Sequence, residues 1–157
     1  MHTPASIAKH PIHPMLVTVP IGLWVFSFVC DLAPLVFGAT SANWHIVAYY
    51  TMVGGVFGAL AAAIPGFIDM LSLPRAIKRI AIVHMVINLT VVVLYCVNAW
   101  LRAGGMDPAR TPFWLSLAGI VMLGVSGWLG GRMVYLHGAA VTEPHLPAQP
   151  VKESLRT

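Results

Sequence analysis

Polar residues break this chain into four long apolar stretches, residues 14–37, 44–71, 78–101 and 111–136. A hydrocarbon core is crossed by about 20 apolar residues in helical form, so each stretch predicts one membrane span. The breaks are short, which makes neighbouring helices antiparallel. The fold class expected is therefore all-α, a four-transmembrane-helix up-down bundle. A barrel would need many shorter, strictly alternating segments, so strands are not expected. No internal repeat shows on inspection.

Helical periodicity then sorts the residues inside each stretch. At about 100° per residue, His84, Asn88, Tyr95 and Asn98 share an arc of roughly 80°. Lipid penalises such a stripe, so it is expected to face the bundle interior. His13, Val17, Pro20, Trp24, Ser27 and Asp31 form a comparable face on the first helix. The second helix offers Gly54, Gly58, Ala61, Pro65 and Asp69, with Gly54-x-x-x-Gly58 as a small-residue contact face. The fourth offers Gly124, Gly127 and Gly131. Two interior faces are thus expected to be polar and two small.

Composition agrees with the pattern. Of 157 residues, 58% are hydrophobic and only 9% charged, against roughly 25% charged in soluble domains. Residues 1–141 read as one integral membrane domain and 142–157, rich in proline and polar residues, as a flexible cytoplasmic tail. The first stretch reads as a retained helix: its leader holds only Lys9, Asp31 interrupts its far end, and no small-residue cleavage site follows. His2 stands where myristoylation needs glycine. Lys9, Arg75, Lys78, Arg79, Arg132, Lys152 and Arg156 fall on one side of the bundle, and only Arg102 and Arg110 on the other. This bias places both termini in the cytoplasm. It also accounts for the net charge of +4, so nucleic-acid binding is not inferred. Trp44, Trp100 and Trp114 sit near helix ends, where interfacial aromatics belong.

On the side of the termini the topology gathers His10, His13, Asp69, His84 and His137, with the cations of residues 72–79. The opposite side holds Asp31, His45 and Asp107. Imidazoles suit iron, zinc and copper. His13 and His84, with His10 or His137 as substitutes, are the candidate ligands of haem b or, failing that, of another histidine-ligated transition metal. Arg75, Lys78 and Arg79 stand at the depth of haem propionates. Asp69 and Asn88 are placed to orient a ligating imidazole from behind. The blander alternative is that His10 and His137 are interfacial and His84 bonds Asn88 or Asp69. Asp69 then reads as a helix-end carboxylate paired with Arg75 or Arg79, and Asp31 likewise as a paired carboxylate. Cys30 and Cys96 read either as a disulfide or as small buried hydrophobes. No nucleophile motif and no phosphate loop is present, and whether the protein is an enzyme stays open.

The run His10-Pro11-Ile12-His13-Pro14, followed by Val19-Pro20-Ile21-Gly22-Leu23-Trp24 and Asp31, resembles a bacterial membrane family grouped as domain of unknown function 2231. The resemblance continues through Pro65-Gly66-Phe67-Ile68-Asp69, His84 with Asn88, and Ser126-Gly127-Trp128-Leu129-Gly130-Gly131 with His137-Gly138. It covers roughly residues 8–141. It implies four transmembrane helices, the bacterial inner membrane and no established activity. Some relatives look fused to Rieske-type iron–sulfur or cytochrome c domains, which associates the family with electron transfer. This chain has no Cys-x-x-Cys-His and no iron–sulfur cysteines, so a redox centre would rest on histidine.

Three functions follow as expectations. The first is a haem or metal protein passing electrons between a quinol and a redox partner protein. The second is a non-catalytic subunit of a membrane complex, or a homo-oligomer, packing through its glycine faces with structural histidines and no cofactor. The third and weakest is transport of a metal or proton. In all three the lipid bilayer is the surrounding partner.

Overall fold

The computed structural model describes residues 4–8, 10–37 and 42–141. The chain opens with two short antiparallel strands, β1 (Ser6–Ile7) and β2 (His10–Pro11), in which Ser6 pairs with Pro11 and Ile7 with His10. Helices follow: α1 (Ile12–Leu16), α2 (Thr18–Phe37), α3 (Ala42–Ser72), α4 (Arg75–Ala103) and α5 (Thr111–Tyr135). With α1 and α2 counted as one span of Ile12–Phe37, four helices are long and apolar enough to cross a membrane. The all-α bundle is confirmed. The strand pair is an addition the apolar pattern did not predict. The expected tail of residues 142–157 lies outside the described residues, as do Lys9, Lys152 and Arg156.

Proline explains the break between α1 and α2. Pro20 has no amide proton to give the Leu16 carbonyl, and Val17 closes α1 by bonding the His13 carbonyl at 3.1 Å. A two-residue step joins α3 to α4. There the Lys78 ammonium donates to the Leu71 carbonyl at 3.3 Å, satisfying one of the carbonyls a helix end leaves open.

The bundle is built from two helical hairpins. α2 packs chiefly on α3, and α4 chiefly on α5. Between the hairpins the Trp24 indole and Tyr95 phenol stack with ring centres 4.4 Å apart and planes 9° from parallel. Met52 and Val91 complete this cluster, all four being essentially inaccessible. A second cluster, Met70, Ile77, Ala81, Met133 and Ala139, fills the end nearer the N-terminus. The outer surface is apolar: Phe57, Ile64, Trp100 and Trp128 are exposed. Such a continuous apolar exterior suits lipid rather than water.

The polar stripes face inward as expected. On α2, Pro20, Trp24, Ser27 and Asp31 are buried, and on α4 Tyr95 and Asn98. Of the two glycine faces, Gly54 and Gly58 do pack on the first span, where a Cβ on Gly58 would stand 3.3 Å from Pro20 and Val19. The most buried row lies beside them, and the fourth-helix face needs correction. On α3 the buried row is Ala48, Met52, Gly55, Ala62, Pro65 and Asp69, while Ala61 is exposed. The bulk of Trp24 sets this register: a Cβ on Gly55 would collide with the indole nitrogen, whereas one on Gly54 would meet only Leu23 at 3.4 Å. On α5 the interior row is Pro112, Ser116, Gly119, Ser126 and Met133. Gly124 and Gly127 are exposed, with open space beyond them. The fourth interior face therefore carries two serines among its small residues.

Candidate functional site

His13 sits at the start of the first span, where α1 leans on α3. Its Nδ1 lies 2.8 Å from the Ala62 carbonyl. A carbonyl only accepts, so Nδ1 carries a proton and donates, and among the described residues Nε2 has no hydrogen-bond partner. The approach is close enough that a Cβ on Gly66 would lie 2.6 Å from His13 Nδ1. Only glycine admits the imidazole here.

His84 repeats the arrangement on α4. Its Nδ1 donates to the Ser126 carbonyl at 2.9 Å, with the Ser126 hydroxyl oxygen at the same distance. Asn88 braces the pair, donating to the His84 carbonyl at 2.8 Å and to Ser126 Oγ at 2.7 Å. The Asn88 position expected from spacing is thus filled, and it acts through Ser126. A Cβ on Gly130 would stand 3.4 Å from His84 Cε1. His13, on the first span, and His84, on α4, lie at the same end of the bundle.

The other candidates do not join them. His10 is exposed and held inside the strand pair, its Nδ1 donating to the Ala8 carbonyl at 2.9 Å. His137 is exposed beyond the end of α5. Among the described residues no group of three or more His, Cys, Asp or Glu side chains is disposed to hold a metal ion. Asp69 is buried, but it accepts the Ala5 amide proton at 2.8 Å. It anchors the N-terminal segment to α3 instead of orienting an imidazole, and among the described residues no ion pair joins it to Arg75 or Arg79. Arg75 and Arg79 are exposed at the same end, and Lys78 caps α3.

The most complete polar network lies at the opposite end. Arg102 grips Asp31 through two bonds, of 2.7 and 2.6 Å, with both side chains almost wholly buried. Arg102 Nε donates to Asn98 Oδ1 at 2.9 Å, and Asn98 Nδ2 donates to the Pro112 carbonyl and Ser116 Oγ, both at 2.9 Å. Asp31 is the paired carboxylate expected, but its partner was read only as a flanking charge. Asn98 and Arg102 stand at i and i+4 on the polar stripe, which is the signal for that partner. His45 brings its Nδ1 to 3.9 Å from Asp31 Oδ1, and this nitrogen is buried without a hydrogen bond. Beside it a cavity of about 420 Å³ is lined by His45, Tyr49, Tyr50, Arg102 and Pro108. Cys30 is buried, Cys96 is exposed, and both are free thiols.

Neither a curated protein nor a solved structure matches the chain. Residues 9–143, which hold both ends of this bundle, match the predicted membrane protein family DUF2231, and the chain belongs to that family.

Proposed function

We propose that the protein is a small membrane electron carrier that holds haem b, or another transition metal, between His13 and His84. The observation that supports this is the shared orientation of the two imidazoles. Each has its Nδ1 committed to a backbone carbonyl, and among the described residues neither Nε2 has a hydrogen-bond partner. That is how ligating histidines are held, one nitrogen fixing the ring and the other left basic. Zinc sites take three or four protein ligands, whereas a haem iron accepts two axial imidazoles. The two-histidine set therefore favours haem.

In this reading His13 and His84 bind and Ser126 and Asn88 fix the ring of His84. Gly66 and Gly130 keep the facing helices clear of the rings. Arg75 and Arg79, exposed at the same end, offer charge to propionates. The group when bound would supply one-electron exchange, with a quinol and a redox partner protein on either side. The excess of Lys and Arg at this end supports cytoplasmic termini in a bacterial inner membrane.

The test is a reduced-minus-oxidised visible spectrum of detergent-purified protein, with metal analysis on the same sample. Sharp α and β bands that vanish in His13→Ala and His84→Ala are expected. A colourless, metal-free protein that also fails to take up added haem would overturn the proposal. The second reading is a packing subunit, supported by the fact that His13–Ala62 and His84–Ser126 already tie neighbouring helices together. It expects no chromophore and a stable complex with another membrane protein.

A further inference from the structure

The contacts of the two hairpins obey one rule. His13, Trp24, Ser27 and Asp31 on the first span correspond to His84, Tyr95, Asn98 and Arg102 on α4, each displaced by 71 residues (102 − 31). Ala48, Met52, Gly55, Ala62 and Gly66 on α3 correspond to Pro112, Ser116, Gly119, Ser126 and Gly130 on α5, each displaced by 64 (130 − 66). The offsets differ by seven because α2 and α3 extend further beyond Asp31 and Ala48 than α4 and α5 extend beyond Arg102 and Pro112.

Under these two offsets three interhelical hydrogen bonds map onto three others. His13 to the Ala62 carbonyl maps onto His84 to the Ser126 carbonyl. Trp24 Nε1 to the Met52 carbonyl, 3.1 Å, maps onto Tyr95 Oη to the Ser116 carbonyl, 3.5 Å. Ser27 Oγ to the Ala48 carbonyl, 2.7 Å, maps onto Asn98 Nδ2 to the Pro112 carbonyl, 2.9 Å. The glycine clearances map as well. Gly55 makes room for Trp24 and Gly119 for Tyr95, while Gly66 makes room for His13 and Gly130 for His84.

Corresponding residues also meet one another across the bundle. Trp24 stacks on Tyr95 and Asp31 pairs with Arg102, while His13 and His84 stand at corresponding positions at the other end of the bundle. In two like hairpins packed face to face, corresponding positions touch where a two-fold axis passes between them. With α2 and α4 parallel, that axis runs along the helices. The repeat that inspection of the sequence missed is thus present in the contacts.

We infer that the chain is two copies of one helical hairpin joined in tandem, and that the imidazole site is a single site on their common axis. Each copy would contribute one imidazole to one shared ligand, with Nε2 the nitrogen left to bind it. The ligand half of this inference rests on the two-imidazole reading above; the duplication stands on the hydrogen bonds alone. Exchanging two residues that meet across the axis keeps their contact with each other, because each then occupies the position its partner held.

The test exchanges residues across the axis in the full-length chain. Asp31→Arg and Arg102→Asp are made singly and together, as are Trp24→Tyr and Tyr95→Trp, and unfolding midpoints are measured in detergent. Each single charge reversal should lower the midpoint by about 10 °C or more, and the double exchange should recover most of that loss. Where a single variant does not fold, the yield of folded double variant is read instead. Double exchanges no better than the singles, for both pairs, overturn the duplication. Titration with haem b should saturate at one per chain and fail in both His13→Ala and His84→Ala. Two haems per chain, or binding that survives either substitution, overturn the shared axial site. Restored double exchanges with no haem uptake remove the ligand half and keep the duplication.

Discussion

The His13–His84 end and the Asp31–Arg102 end are each built from corresponding positions of the two hairpins, yet their side chains are finished differently. At the carboxylate end opposite charges meet, and Asn98, Ser116 and two bonds to the guanidinium leave Asp31 and Arg102 fully engaged. At the imidazole end two like groups stand at corresponding positions, each tied at Nδ1 and, among the described residues, without a hydrogen bond at Nε2. A buried pair that satisfies itself holds helices together. A pair of like groups that leaves one nitrogen apiece unanswered gains little for the bundle, and is the better candidate for holding something else.

Substitutions can break this contrast or sharpen it. The largest loss is expected from Arg102→Ala, which strands the buried Asp31 carboxylate without its cation. A fall of about 3–5 kcal/mol is expected, read from chemical unfolding in detergent, and a negligible change would mean that this end is not the structural one. Gly66→Ala comes next. Its Cβ would press on the His13 ring at 2.6 Å, and overpacking of this kind costs about 1–3 kcal/mol. Gly130→Ala, with 3.4 Å to His84, should be close to neutral. The two variants measured side by side therefore test whether His13 is the more tightly enclosed ring. His13→Ala and His84→Ala remove one hydrogen-bonded strut each and should cost about 1 kcal/mol. Their main effect should instead appear in the visible spectrum. If either destabilises as much as Arg102→Ala, the imidazole end is structural too. The smallest effect is expected from His45→Ala. Its Nδ1 makes no hydrogen bond, so the unfolding midpoint should move by no more than an ordinary surface change, within about 0.5 kcal/mol.

The spans and the inward polar stripes could be read from the chain because lipid makes a polar residue conspicuous. Asn88 and Asn98 have no low-energy place on a lipid-facing surface, so spacing alone turned them inward. Glycine gives no such sign. It lacks a side chain to be wetted or hidden, and the Gly54–Gly58 spacing, which does mark a contact with the first span, is silent about Gly55, whose close approach depends on the indole of another helix. Gly124 and Gly127 went to the wrong face for the same reason. Ser116 and Ser126 escaped notice because a hydroxyl can return to its own helix and so tolerates either side. The duplication was hidden more deeply. Among the corresponding positions named, only histidine and glycine are kept as identical residues, while bonds to backbone carbonyls survive any change of the side chain that carries the carbonyl. His13 and His84 stand at the same end of the bundle, as the topology predicts, whereas the role of Asp69 depends on a contact with Ala5, and nothing in the local pattern announces that partner.

The even number of spans in each hairpin has a consequence for insertion. A unit that crosses a bilayer twice returns to the leaflet where it began, so a second copy joined behind it enters in the same sense. Three crossings would have inverted the second copy and laid the symmetry axis in the plane of the membrane. Two crossings set the axis along the membrane normal, so matching side chains meet at equal depth. The two leaflets then see chemically different ends, imidazoles at one and an ion pair at the other. A fold assembled from two like halves is in this way polarised across the bilayer from the moment it inserts.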